Sequence, residues 1–133
     1  MDSIDCPFCS AADDEVVLGG DGWYAKFDRY PVSPGHLLLI PHRHIVTFFE
    51  ATLEEHVRLL SLVEEARRYL DDRFHPDGYN IGINCGPAAG QTIMHLHVHL
   101  IPRYNGDMPD PRGGVRGVIP EKRMYGRDSQ QCL

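Results

Sequence analysis

Gln91-Thr92-Ile93-Met94-His95-Leu96-His97-Val98-His99-Leu100-Ile101-Pro102-Arg103 alternates imidazole and aliphatic side chains through its centre. Alternate residues of a strand share a face, and same-face neighbours lie roughly 6.5–7 Å apart. The pattern predicts a strand over 94–101, with Leu96, Val98 and Leu100 turned towards a helix and His95, His97 and His99 projecting together from the opposite face. Three roles suit such a triplet. The histidines can be merely solvated or satisfied in the core, they can hold a metal as a three-histidine site does, or they can act as nucleophile and acid–base groups on a phosphorus centre. The loop before the strand, Gly86-Pro87-Ala88-Ala89-Gly90-Gln91-Thr92, brings small residues close to the histidines. Backbone N–H groups in such a loop approach phosphate oxygens closely, and Gln91 and Thr92 add side-chain donors.

The other elements follow from local pattern. Glu15 to Leu18 and Trp23 to Phe27 read as a hairpin around a turn at Gly19-Gly20-Asp21-Gly22. His36 to Ile40 is a continuous apolar strand, closed by Pro41. Thr52-Leu53-Glu54-Glu55 is a capping box. It opens a helix to about Arg73, whose apolar residues recur at Leu53, Val57, Leu60 and Val63 and then at Ala66, Leu70 and Phe74. Pro76 and Gly78 stop it, and Tyr79 to Asn84 alternates as a further strand. Residues 104–133 read mainly as loop and tail. The order β-β-β-α-β-β predicts an α+β fold, an antiparallel sheet with a helix on one face.

The 133 residues suit one domain spanning 1–133. The apolar content of 42% and charged content of 24% are those of an ordinary globular protein. A formal net charge of −6 offers no general surface to nucleic acid. No apolar run is long enough to cross a membrane, and the acidic start has no signal-peptide core, so the expected location is cytoplasmic. Reduced cysteines are expected there. Cys6-Pro7-Phe8-Cys9 lacks the preceding strand that a redox C-x-x-C follows, and it reads better as half of a zinc site within a short segment over 1–14. His42 and His44 are both candidates for a further ligand. Cys85 and Cys132 have no evident partner.

His95-Leu96-His97-Val98-His99-Leu100-Ile101 resembles the signature of the histidine triad (HIT) nucleotide-binding proteins. The resemblance extends to Phe27-Asp28-Arg29-Tyr30-Pro31-Val32-Ser33-Pro34-Gly35-His36 and to Asn84, and covers roughly residues 6–105. It implies an antiparallel sheet of about five strands with one long helix, paired as a homodimer. It also implies catalysis at the α-phosphate of an adenosine-type nucleotide through a nucleotidyl-histidine intermediate. On this sequence His97 would be the nucleophile, His99 would contact the phosphate and assist the leaving group, and His36 would support them. Asn84, Gly90, Gln91 and Thr92 would hold phosphate oxygens, and Asp28 would face the ribose hydroxyls. The zinc-bearing branch implies a structural Zn²⁺ on Cys6, Cys9, His44 and His95, with His44 preferred to His42 because the family's ligand stands three residues after the proline, Pro41.

The tail from Asp110 to Lys122 resembles that of relatives acting on dinucleoside polyphosphates, with Arg112, Arg116, Lys122 and Arg103 as candidate polyphosphate contacts. The leading expectation is thus hydrolysis of a substrate such as diadenosine tetraphosphate. A phosphorylase, an adenosine phosphoramidase and a non-enzymatic nucleotide-binding regulator are the alternatives, and a redox C-x-x-C protein stands as a third class.

Overall fold

A computed structural model describes residues 6–125. The strands are β1 (Val16–Gly20), β2 (Trp23–Phe27), β3 (Leu37–Pro41), β4 (Gly78–Ile83) and β5 (Val98–Arg103), and one long helix, α1 (Leu53–Phe74), joins β3 to β4. They form one sheet in the order β1-β2-β3-β5-β4, with every neighbouring pair antiparallel. The α+β class and the five-stranded sheet are as expected. The first hairpin is tighter than the glycine run suggested. Gly20 pairs with Trp23, so Gly19 and Gly20 belong to β1 and only two residues turn. Gly22 has φ +81°, a conformation that glycine adopts without a Cβ clash.

β3 is central and buried along its whole length. Its alternate side chains therefore serve two cores. Leu37 and Leu39 pack with Trp23, Ala25, Leu96, Val98 and Leu100 beneath α1. Leu38 and Ile40 face the other way, towards Tyr24, Phe8 and Cys6. The N-terminal segment is thus a lid on the second face. Tyr24 Oη ties it down by donating to the Phe8 carbonyl at 2.7 Å. Burial, reinforced by the neighbouring thiols, holds that phenol well above its usual pKa.

The capping box forms as the sequence predicts. Glu55 N–H donates to Thr52 Oγ1 at 3.0 Å and Thr52 N–H to Glu55 Oε1 at 2.8 Å. The helix ends one residue beyond the expected Arg73, where His75 adopts φ 51° before Pro76. Its buried stripe differs from the expected one. Leu59, Leu62, Ala66 and Leu70 face the sheet, while Leu53, Val57 and Leu60 are exposed. The first half of α1 carries two apolar stripes of helical spacing, separated by about 100°. At the capped end Arg43 grips Glu55 through Nε at 2.9 Å and Nη2 at 2.8 Å.

The histidine strand also needs correction. Regular pairing begins at Val98, not at Met94. Val98 is the last partner on both sides, of Leu39 in β3 and of Ile83 in β4. Beyond it the chain bends through 93–95, and Leu96 N–H bonds instead to the Ile45 carbonyl at 2.7 Å. Leu96, Val98 and Leu100 still face the helix as expected. The tail is more ordered than a loop: a short 3₁₀ turn at Gly114–Val118 folds against β4, and a second at Pro120–Lys122 folds against the first. Cys132 lies outside the described residues. Among the described residues no helix is long and apolar enough to cross a membrane.

Candidate active site and metal centre

The bend before β5 separates the three imidazoles. His95 is fully buried and turned towards the N-terminal cysteines. Its Nε2–H donates to the Pro41 carbonyl at 2.8 Å, which leaves the Nδ1 lone pair free. That Nδ1 lies 3.2 Å from Cys6 Sγ, 3.5 Å from Cys9 Sγ and 3.1 Å from His44 Nδ1, and Cys9 Sγ lies 3.1 Å from His44 Nδ1. The four donor atoms are all within 4.8 Å of one another. Ligands of a tetrahedral Cys₂His₂ zinc stand about 3.3–3.8 Å apart, so this donor set fits that ion. A single ion would replace close lone-pair contacts with four bonds, and two thiolates would neutralise its charge. His42 takes no part and packs over Tyr24, with ring centroids 5.1 Å apart. Cys85 stands apart as a free thiol.

His97 turns to the other side. Its Nδ1–H donates to the His95 carbonyl at 2.8 Å, since a carbonyl can only accept. The unprotonated Nε2 is therefore the free nitrogen. The same accounting places the hydrogens on its neighbours. Val32 N–H donates to His36 Nδ1 at 3.0 Å, so His36 carries its hydrogen on Nε2. That hydrogen points to His99 Nδ1 at 2.9 Å, with Asp28 Oδ2 at 3.4 Å. His99 accordingly presents Nε2–H outward. Burial holds His36 below its usual pKa, against the opposing pull of Asp28, and holds His99 down to about 4, helped by His97 and His36. Both are neutral at pH 7. Asp28 is positioned by accepting from Tyr30 N–H at 2.9 Å.

A cavity of about 260 Å³ lies over His97, and Asp28, Asn84, Gly90, Thr92 and His99 share its walls. These expected residues are brought together. Gln91 is not among them. Its side chain is buried, its amide hydrogens go to the carbonyls of Val46 (2.8 Å) and Ile93 (3.1 Å), and its Oε1 accepts from Gly86 N–H at 2.8 Å. Its backbone N–H bonds to the Gly86 carbonyl. With no donor left, Gln91 braces the loop from within. The expected polyphosphate arginines are also committed. Arg103 clamps Asp107 through two bonds of 2.8 Å and reaches Asn80 Oδ1 at 2.7 Å. Arg112 pairs with Asp110 at 3.0 Å, and Arg116 is held by the carbonyls of Arg123 and Lys122. Lys122 is exposed on the surface. Lys26, a buried cation of β2 near this site, carries no local signal in the sequence, because an isolated lysine in a short strand reads as a surface residue.

Two further cavities adjoin the one over His97. One of about 140 Å³ runs along β2 beneath Phe8, and one of about 450 Å³ opens on the His99 and His36 side under the tail residues Val115 and Val118. Asp28 and Tyr30 line all three.

The HIT domain family matches residues 10–106, and the chain belongs to that family. It is 38% identical over 93 residues to a protein of Mycobacterium tuberculosis named AP-4-A phosphorylase, covering 69% of this chain and 48% of that one. It is 38% identical over 80 residues to a bis(5'-nucleosyl)-tetraphosphatase (asymmetrical) of Schizosaccharomyces pombe, covering 60% and 44%. The chain thus spans about half the length of these relatives. Among solved structures, a Zn-bound histidine triad family protein from Mycobacterium smegmatis superposes with a TM-score of 0.71 at 30% identity, covering 88% of this chain and 92% of that one.

Proposed function

We propose that this protein is a nucleotide hydrolase or transferase that acts at an α-phosphate through a nucleotidyl-His97 intermediate. One observation carries the reading: the hydrogen bond from Nδ1 to the His95 carbonyl leaves the Nε2 lone pair free, in a ring that lines the cavity shared by Asn84, Gly90, Thr92 and His99. Nε2 attacks phosphorus, forming a P–N bond as the bond to the leaving-group oxygen breaks. The positive charge that develops on the ring is stabilised through Nδ1–H and the carbonyl. His99 Nε2–H donates to the oxygen that gains negative charge. Asn84 and Thr92 donate to the non-bridging oxygens, and Asp28 accepts from the ribose hydroxyls. Water then attacks the phosphorus, breaks the P–N bond and releases the nucleoside monophosphate.

The names of the relatives support a dinucleoside polyphosphate, diadenosine tetraphosphate above all, as substrate. Incubation of that compound with the wild type and with His97→Ala tests the reading by product analysis. AMP and ATP from the wild type alone are expected, and equal turnover by the variant would remove His97 from the chemistry. A specific observation favours a second reading, a phosphoramidase. Among the described residues the cavity on the leaving-group side is lined by no lysine or arginine, which suits an uncharged amine. Adenosine 5'-phosphoramidate in the same assay separates the two.

The zinc is part of the proposal, with Cys6, Cys9, His44 and His95 as ligands. It would supply no chemistry at phosphorus but would hold the start of β5 against the N-terminal segment, so that the His95 carbonyl stays aimed at His97. A homodimer is proposed as well. The exposed stripe Leu53, Val57 and Leu60, and Ile81 on the free edge of β4, provide apolar surface for a second copy to cover. A monomer mass in solution would refute it.

A further inference from the structure

We infer that the groove from His99 past Ile101 to Arg103 seats the distal nucleoside of a dinucleoside polyphosphate, with the Arg103 guanidinium stacked on its base and Asn80 donating to the phosphate chain. The inference rests on the dinucleotide reading given above and extends it to the leaving half of the substrate. Alternate residues of a strand share a face, so His99, Ile101 and Arg103 of β5 stand in line with His97. Three cavities follow that line. The one over His97 shares Asn84 and His99 with the cavity of about 450 Å³. That one shares Val32, Asn80 and Ile101 with a further cavity of about 270 Å³, which ends at Arg103, Asp107 and Met108. Attack by His97 sends the leaving group out in line, along this course on the His99 side. From His97 to Arg103 the chain runs about 20 Å, the order of length of a triphosphate carrying a nucleoside.

The far end of the groove suits a flat ring better than a charge. Arg103 donates from Nε and Nη2 to the two oxygens of Asp107, each at 2.8 Å, and from Nη1 to Asn80 Oδ1 at 2.7 Å. Asp107 neutralises it. The three bonds lie in the guanidinium plane and fix that plane, so what Arg103 still offers the cavity is its face. Guanidinium planes stack on nucleic-acid bases. Val32 and Met108 line the same cavity and are 73% and 42% exposed, and a base seated there covers both. The clamp also orients Asn80. A guanidinium only donates, so the amide oxygen is the atom that faces Arg103. Among the described residues Asn80 Nδ2 donates to none, which leaves it for a phosphate oxygen where the two cavities meet.

The test is calorimetric binding of diadenosine tetraphosphate and of adenosine 5'-tetraphosphate, which lacks the distal nucleoside, to zinc-loaded His97→Ala protein, where no turnover is expected. The dinucleotide should bind about tenfold more tightly. Added to that background, Arg103→Met and Arg103→Lys should each bring the ratio towards one. Lysine keeps the charge and loses only the plane, so the extra charge of the terminal phosphate cancels in that comparison. The ratio is read within each protein, so a partial loss of fold cancels too. Asn80→Asp keeps an acceptor for Arg103 and removes the donor, and it should weaken both ligands about fivefold. A ratio near one before Arg103 is changed, or a ratio preserved in both Arg103 variants, would overturn the seat. Unchanged binding of both ligands by Asn80→Asp would overturn the part given to Asn80. Turnover through His97 with a ratio near one strikes this inference and leaves the proposed reaction standing. A clear ratio with no turnover by the wild type does the reverse, and binding of neither ligand overturns both.

Discussion

Replacing Gln91 by methionine asks whether this residue braces the loop or touches phosphate. The swap keeps volume and chain length and removes three hydrogen bonds of 2.8, 2.8 and 3.1 Å. Gly86 N–H, the Val46 carbonyl and the Ile93 carbonyl would each lose a partner. Gln91 is only 4% exposed, so water does not readily replace it. At about 1 kcal/mol for each bond the loss is about 3 kcal/mol. For a chain of 133 residues the unfolding entropy near the midpoint, about 2.1 cal/mol/K per residue, converts this to a Tm lower by ~10 °C. Trp23 is the only tryptophan and is fully buried in β2, so its fluorescence reports urea unfolding directly. Measurements should be made at one fixed zinc concentration, because a bound ion adds to apparent stability. Thr92→Val is the contrast: it should weaken nucleotide binding with little change in stability. A Gln91→Met protein within about 0.5 kcal/mol of the wild type that has nonetheless lost nucleotide binding would refute the bracing role and return Gln91 to the phosphate.

Metal analysis should find one zinc per chain, and Cys9→Ala should lose it. Chelation is expected to lower Tm while leaving measurable turnover at low temperature, and a complete loss of activity in a still-folded apoprotein would argue against a purely structural ion. The pH dependence has a definite sign. His99 is held at about 4 when folded, against about 6.5 when unfolded, so the unfolded chain binds the extra proton. Its contribution to stability is complete above about pH 6.5 and is lost as the pH falls towards 4. At pH 5 the loss is about 2 kcal/mol. Urea titrations at pH 7 and pH 5 should show the wild type losing about that much more stability than His99→Asn. Equal losses would mean that His99 is not held neutral by its surroundings.

The elements whose signals lie within a few residues of chain are legible in the sequence alone. The capping box, the helix stop at Pro76, the two-faced β3 and the inward Leu96, Val98 and Leu100 all follow from spacing and local sterics. The donor set Cys6, Cys9, His44 and His95 and the cavity residues Asp28, Asn84, Gly90, Thr92 and His99 are indicated by motif, and the fold brings each set together. Tertiary structure decided what depends on partners distant in the chain. β5 begins at Val98 because β4 ends opposite it and the chain then bends away from β3, which runs on to Pro41 paired with β2 alone, and a strand's length is set by what it pairs with as much as by its own alternation. Two apolar stripes on α1 were equivalent until docking chose one. Gln91, Arg103, Arg112 and Arg116 looked like free donors because a sequence shows donor capacity but not the acceptors that consume it. Lys26 reads as an ordinary strand lysine, and only the sheet buries it against the Phe8 ring and beside Glu15.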